Sequence, residues 1–159
     1  MPKRIGNNSI ELINKPSIIG YGATAGRKEA LGPLGAYFDV TYSDEFCGEK
    51  SFEKAETHMQ KTAIKTAIKK AHLTKQEIDC AFAGDLLNQC ISSGYAVRDL
   101  EIPFFGLYGA CSTMAESLLV ASMMVGGGFS NKVVAMTSSH FASSERQYRF
   151  PLGYGGQRT

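Results

Sequence analysis

Apolar positions along the chain fall either into short dense runs or into stripes at helical spacing, and the two patterns alternate. Ser17-Ile18-Ile19-Gly20-Tyr21 is a dense run that predicts a short buried strand over residues 17–22. Residues 23–50 carry Gly26, Gly32, Pro33 and Gly35, breakers too close together for a helix, and predict a loop region in which 37–41 could form a strand. From Ser51, a residue able to cap a helix start, apolar positions recur at Phe52, Ala55, Met59, Ala63, Ala67 and Ala71 with lysines opposite, predicting an amphipathic helix over 51–72.

Thr74-Lys75-Gln76-Glu77 fits the capping box, in which hydroxyl and carboxylate satisfy free amides at the start of a helical turn. Residues 78–84 then predict a strand, 86–99 a helix, and the aromatic-rich 103–108 a further strand. Gly109-Ala110-Cys111-Ser112-Thr113 leads into 111–125, which is apolar on every side and predicts a helix buried all round, ended by Gly126-Gly127-Gly128. Residues 132–138 form the last predicted strand. Strands alternating with helices predict an α/β layered fold with a mostly parallel sheet. The glycine-rich residues 153–159 have no predicted element after them and read as the middle of a longer protein.

Composition adds exclusions. The 159 residues are 43% hydrophobic and 20% charged, the balance of a water-soluble globular domain rather than a disordered or fibrous chain. The net charge is +2, and the basic cluster Lys61, Lys65, Lys69 and Lys70 lies at helical spacing, a solvated face rather than a nucleic-acid surface. No apolar run approaches the ~20 residues of a membrane span and no secretion signal opens the chain, so the expected location is cytosolic, with membrane contact at most peripheral. Cys47, Cys80, Cys90 and Cys111 show neither C-x-x-C spacing nor paired histidines, so reduced thiols are expected, with no metal site and no disulfide. No cofactor is implied either. Gly20-Tyr21-Gly22-Ala23-Thr24-Ala25 satisfies G-x-G-x-x-A after a strand, but the residues that follow cannot supply the helix on which a pyrophosphate would sit.

Cys111 carries the strongest chemical signal. Between a strand and the first turn of a helix, unpaired amides and the helix dipole favour an anion: either a thiolate nucleophile or a bound ligand carboxylate. A small buried thiol is the plain alternative. His140, after the last strand, reads either as a hydrogen-bonded structural histidine or as a base. Arg146 and Arg149 sit in a polar and aromatic loop, where guanidinium groups can bind carboxylates or pair with Glu145 or Asp99. Cys111, Ser112, His140, Arg146 and Arg149 are therefore the candidate ligand-binding residues, with Cys111 at the position of a nucleophile. His58 and His72 are expected at the surface.

Leu73-Thr74-Lys75-Gln76-Glu77-Ile78-Asp79-Cys80-Ala81-Phe82-Ala83-Gly84 and Pro103-Phe104-Phe105-Gly106-Leu107-Tyr108-Gly109-Ala110-Cys111-Ser112-Thr113 resemble two segments of thiolases and ketoacyl synthases. Gly84-Asp85-Leu86-Leu87-Asn88-Gln89, Ser138-Ser139-His140-Phe141 and Glu145-Arg146-Gln147-Tyr148-Arg149-Phe150-Pro151 resemble, more closely, the stage V sporulation protein AD (SpoVAD) family of spore-forming Firmicutes. The resemblance implies a thiolase-like fold of two similar halves, each with a five-stranded sheet, of which residues 1–159 supply the amino-terminal one. In thiolases and ketoacyl synthases the residues that activate the cysteine come from the other half. The resemblance further implies a dipicolinic acid-binding protein, needed for uptake of dipicolinic acid, with calcium or as its chelate, into developing spores. Other SpoVA proteins would be its partners, on the cytoplasmic side of the forespore inner membrane, and it would form a homodimer through residues 132–138. The alternative is an acyltransferase carrying its acyl group on Cys111; the reading favours binding over such an enzyme.

Overall fold

The computed structural model describes residues 3–87 and 90–144. Lys3–Ile5 (β1) and Ser9–Glu11 (β2) form an exposed antiparallel hairpin. Thr24–Ala25 (β3) pairs in parallel with Val40–Thr41 (β4), with the short helix Arg27–Ala30 (α1) between them. The long helix Phe52–Lys70 (α2) follows, then Cys80–Gly84 (β5), Ile91–Arg98 (α3), Phe104–Gly106 (β6), Thr113–Gly126 (α4) and Val133–Thr137 (β7).

β5 is buried at every residue, and it lies between β6 and β7, parallel to both. Alternation along a strand sends successive side chains to opposite faces. Ala81 and Ala83 accordingly join Ile64, Ile78, Val97, Leu100, Ile102 and Met136 in a core beneath α2 and α3. Cys80 and Phe82 face the other way, against Ala121, Val120 and Met124 of α4. The result is a helix–sheet–helix sandwich, with helices covering both faces of a parallel sheet.

The start of α2 is capped as expected, with Ser51 Oγ accepting from Lys54 N at 3.3 Å. The capping box at Thr74 and Glu77 also forms. Asp79 accepts from the backbone amides of Asn131 at 2.6 Å and Lys132 at 2.9 Å, pinning the entry of β7 beside β5.

Four expectations from the sequence are revised. Residues 17–22 form no strand among the described residues, and Ile18, Ile19 and Tyr21 are exposed. Their backbone lies instead on α2: a Cβ at Gly22 would sit 2.3 Å from the Ala63 carbonyl oxygen, so the glycine serves this close approach rather than a nucleotide turn. The helix expected over 86–99 begins only at Ile91, after Cys90 in a left-handed conformation at φ +53°. The main sheet has three strands among the described residues, not five. α4 is not buried all round: Thr113, Ser117 and Ala121 face inward, while Met114, Leu118, Leu119 and Met123 are exposed.

Gly84 ends β5 where the chain is most crowded. A Cβ there would meet the Leu107 carbonyl oxygen at 2.0 Å and Thr113 Cγ2 at 2.7 Å. Gly84→Ala should therefore lower the unfolding free energy by about 1–3 kcal/mol in urea titrations, because backbone has to move; wild-type stability would show that the approach is not fixed. The pairing of Glu77 with Lys132, aided by the Thr74 amide and hydroxyl, holds the Glu77 carboxyl at about 2. A depressed folded-state value means stability present above the ordinary 4.5 and lost as pH falls toward about 2. Acid denaturation curves of Glu77→Gln should lack that part of the pH dependence.

Candidate ligand-binding site

The carboxyl ends of β5 and β7 open toward one side of the sandwich, the edge at which ligands collect in parallel α/β sheets. β6 leads through Gly109 into a single 3-10 turn, Ala110–Ser112, and then directly into α4. Ala110 adopts φ +50°, a left-handed value that costs a non-glycine residue and persists only where its surroundings enforce it. The sharp turn places Cys111 at the mouth of α4. Thr113 Oγ1 accepts from Gly109 N at 3.2 Å, and Ser112 Oγ donates to the Gly109 carbonyl at 2.7 Å, bracing the elbow from within.

A cavity of about 430 Å³ opens at this point. Ala110 and Cys111 line one part of it, Gly22, Ala23 and Thr24 of the extended segment another. α2 contributes Glu56, Met59, Gln60 and Ala63, and the end of β7 contributes Thr137, Ser138 and Ser139. Cys111 is exposed, whereas Cys47, Cys80 and Cys90 are buried. Burial raises all three of those thiols, Cys47 to about 11 with Asp44 and Glu49 adding to the effect, so they stay protonated at neutral pH.

Behind the cavity wall runs a buried polar chain. Glu56 is 1% exposed; its Oε1 accepts from Ser138 Oγ at 2.5 Å and its Oε2 lies in hydrogen-bond contact with Ser143 Oγ at 2.8 Å. Burial raises the Glu56 carboxyl above its ordinary range; the hydrogen bonds from Ser138 and Ser143 oppose this, nearby Asp85 reinforces it, and His140 opposes it weakly. Gln60 Nε2 donates to Ser138 Oγ and, at 3.0 Å, to Ser93 Oγ. Asp85 closes the chain, accepting from Leu87 N at 2.9 Å, Ser93 N at 2.8 Å and Ser93 Oγ at 2.7 Å.

The residues expected from sequence are placed unequally. Cys111 lines the cavity. Ser112 sits beside it with its hydroxyl turned to the Gly109 carbonyl, away from the lining set. His140 is buried outside the lining: its Nε2 bonds the Glu45 carbonyl at 2.7 Å, its Nδ1 faces Ser143 N at 3.4 Å, and its ring stacks on Phe52. That is the structural reading of the histidine, with Nε2 as donor and Nδ1 as acceptor. Arg146 and Arg149 lie outside the described residues. Glu56 and Gln60 lie off the apolar stripe that the sequence predicts through Ala55, Met59 and Ala63. The alternative stripe Phe52, Glu56, Gln60, Ile64, Ile68 runs at strict four-residue spacing, and two polar residues interrupting such a stripe were the available signal.

Comparison with known proteins places this geometry. The family model for stage V sporulation protein AD (SpoVAD) matches residues 6–159. The chain belongs to the SpoVAD family. Stage V sporulation protein AD of Bacillus subtilis (strain 168) is 50% identical over 137 residues, covering 86% of this chain and 40% of that protein's length. The chain thus spans two fifths of that curated relative. In fold it is similar to 3-oxoacyl-[acyl-carrier-protein] synthase III from Aquifex aeolicus VF5, with a TM-score of 0.51 at 20% identity over 55% of this chain and 30% of that one. This is a likeness of thiolase-type fold alone. Membership identifies a stage V sporulation protein. Among the described residues no helix is long and apolar enough to cross a membrane.

The three donors held by Asp85 give a direct test of the network. Asp85→Ala leaves Leu87 N and Ser93 N as buried amides without their acceptor, and should cost about 1–3 kcal/mol in chemical denaturation. An unchanged midpoint would show that water reaches these groups.

Proposed function

We propose that this SpoVAD-family chain supplies one wall of a binding site for dipicolinic acid, taken up with calcium during sporulation, and that it binds this ligand rather than transferring acyl groups. The observation that carries the reading is the cavity at the mouth of α4, with the exposed Cys111 in its wall and a volume suited to a small aromatic acid. The free amides and dipole of a helix start favour a carboxylate there. His140, the histidine nearest in sequence, is committed to Glu45 and Ser143, which favours binding over base-assisted chemistry at the thiol. A dicarboxylate also needs cations beside the amides, a role that suits Arg146 and Arg149. In this proposal the protein works with other SpoVA proteins on the cytoplasmic side of the forespore inner membrane, as a peripheral protein. It pairs with a second copy through β7, which lies at one edge of the sheet among the described residues.

Cys111 separates the two kinds of chemistry. If it lines an anion site, Cys111→Ser should keep most of the affinity for dipicolinate in calorimetric titration, losing no more than ~1 kcal/mol, because the helix amides remain. Cys111→Asp should bind far more weakly, since it puts a carboxylate where the ligand's belongs. Stable acylation of wild-type Cys111 by acyl-CoA, detected by mass spectrometry, would replace binding with acyl transfer as the function.

A further inference from the structure

The polar chain behind the cavity can be read hydrogen by hydrogen, and the count has a consequence for what enters. Ser138 Oγ donates to Glu56 Oε1, and Ser93 Oγ donates to Asp85 Oδ2. Each hydroxyl has one proton, so both must face Gln60 as acceptors. That fixes the Gln60 NH2 toward the two serines and leaves Oε1 as a buried acceptor with no donor among the described residues. Gln60 is 3% exposed and is one of the cavity-lining residues, while its Oε1 is itself closed off from solvent.

The second carboxyl oxygen of Glu56 shows the same shortage of protons. Ser143 Oγ lies 2.8 Å from Glu56 Oε2 and 2.9 Å from the His140 carbonyl oxygen, and its one proton cannot serve both. A proton on Glu56 Oε2 resolves this: Glu56 donates to Ser143, and Ser143 donates to the His140 carbonyl. Among the described residues, the charged or titratable groups around Glu56 are Asp85 beyond β5, His140 after β7 and Cys111 in the same cavity wall. Asp85 has its three donors as a carboxylate, and a second negative charge nearby favours the protonated form of Glu56. With Glu56 ionised, an entering anion would face a buried like charge.

We propose that Glu56 sets the protonation rule of the cavity and that a small acid binds there together with one proton, held by Glu56. This rests on the anion-binding reading above and adds a rule to it: the site takes an acid in proton-linked fashion and discriminates against binding as pH rises. Burial of Glu56 moves this linkage upward from the usual carboxylate range.

The test is calorimetric titration of the purified protein at its natural length with dipicolinate over a pH series running upward from the usual carboxylate range, in two buffers of different ionisation enthalpy. Wild type should take up close to one proton per ligand at the upper end and lose affinity by about tenfold per pH unit there. Glu56→Gln, which preserves shape and can donate to Ser143, should bind at every pH with neither proton uptake nor slope; its thermal unfolding should confirm that it folds. Wild-type binding that is independent of pH, or a slope that persists in Glu56→Gln, would overturn the linkage while leaving the anion site standing. No binding by either protein at any pH would overturn the anion site, and the linkage with it.

Discussion

β5 holds the molecule together through parallel pairing on both of its edges and through the size of its side chains. Ala81 and Ala83 on one face and Cys80 on the other are small enough for α2, α3 and α4 to lie close to the sheet. A strand with helices on both faces loses all contact with water, so each of its amides and carbonyls needs a partner strand, which β6 and β7 provide. The final residue carries the constraint into the site. Gly84 lets the end of β6 and the first residue of α4 press against β5, while its carbonyl accepts from Ser138 N and Thr137 Oγ1 at 3.2 Å each. The elbow that presents Cys111 and the serines that close the cavity are thus both positioned by the end of one strand.

The polar chain from Glu56 to Asp85 ties α2 to the ends of β5 and β7 across that same opening. Polar groups so deeply buried are stable only as a complete set, each needing its partner in place. Among the described residues the chain is complete apart from Gln60 Oε1 and the contested proton of Ser143.

α4 has two different faces. Its inner side, Thr113, Ser117 and Ala121, packs small residues on the sheet, while Met114, Leu118, Leu119 and Met123 are exposed. The chain covers two fifths of its Bacillus subtilis relative and overlaps less than a third of the synthase whose fold it shares. Its fold is that of the thiolase-type proteins, yet the identity to that synthase is 20%, so the shared layers speak for architecture and not for chemistry.

The sequence by itself determined the order of strands and helices, the caps at Ser51 and Thr74, and the elbow that brings Cys111 to the start of a helix. These are encoded in neighbouring residues: periodicity, a capping hydroxyl, a glycine beside a turn. The familiar segments around Asp79, Cys111 and Ser138 also made the family legible. Only the tertiary structure decided the remainder. An apolar run such as residues 17–22 looks the same whether it pairs in a sheet or lies on a helix, because the partner that decides is distant in sequence. The uniformly apolar α4 could not reveal which side would meet the sheet. Glu56, Gln60, Ser93 and Ser138 are unremarkable as single residues, and their meaning arises from the folding of α2 over β5 and β7, which commits the proton of each hydroxyl and leaves one acceptor open. Hydrogen-bond accounting of that kind depends on geometry between distant residues, which local pattern does not carry.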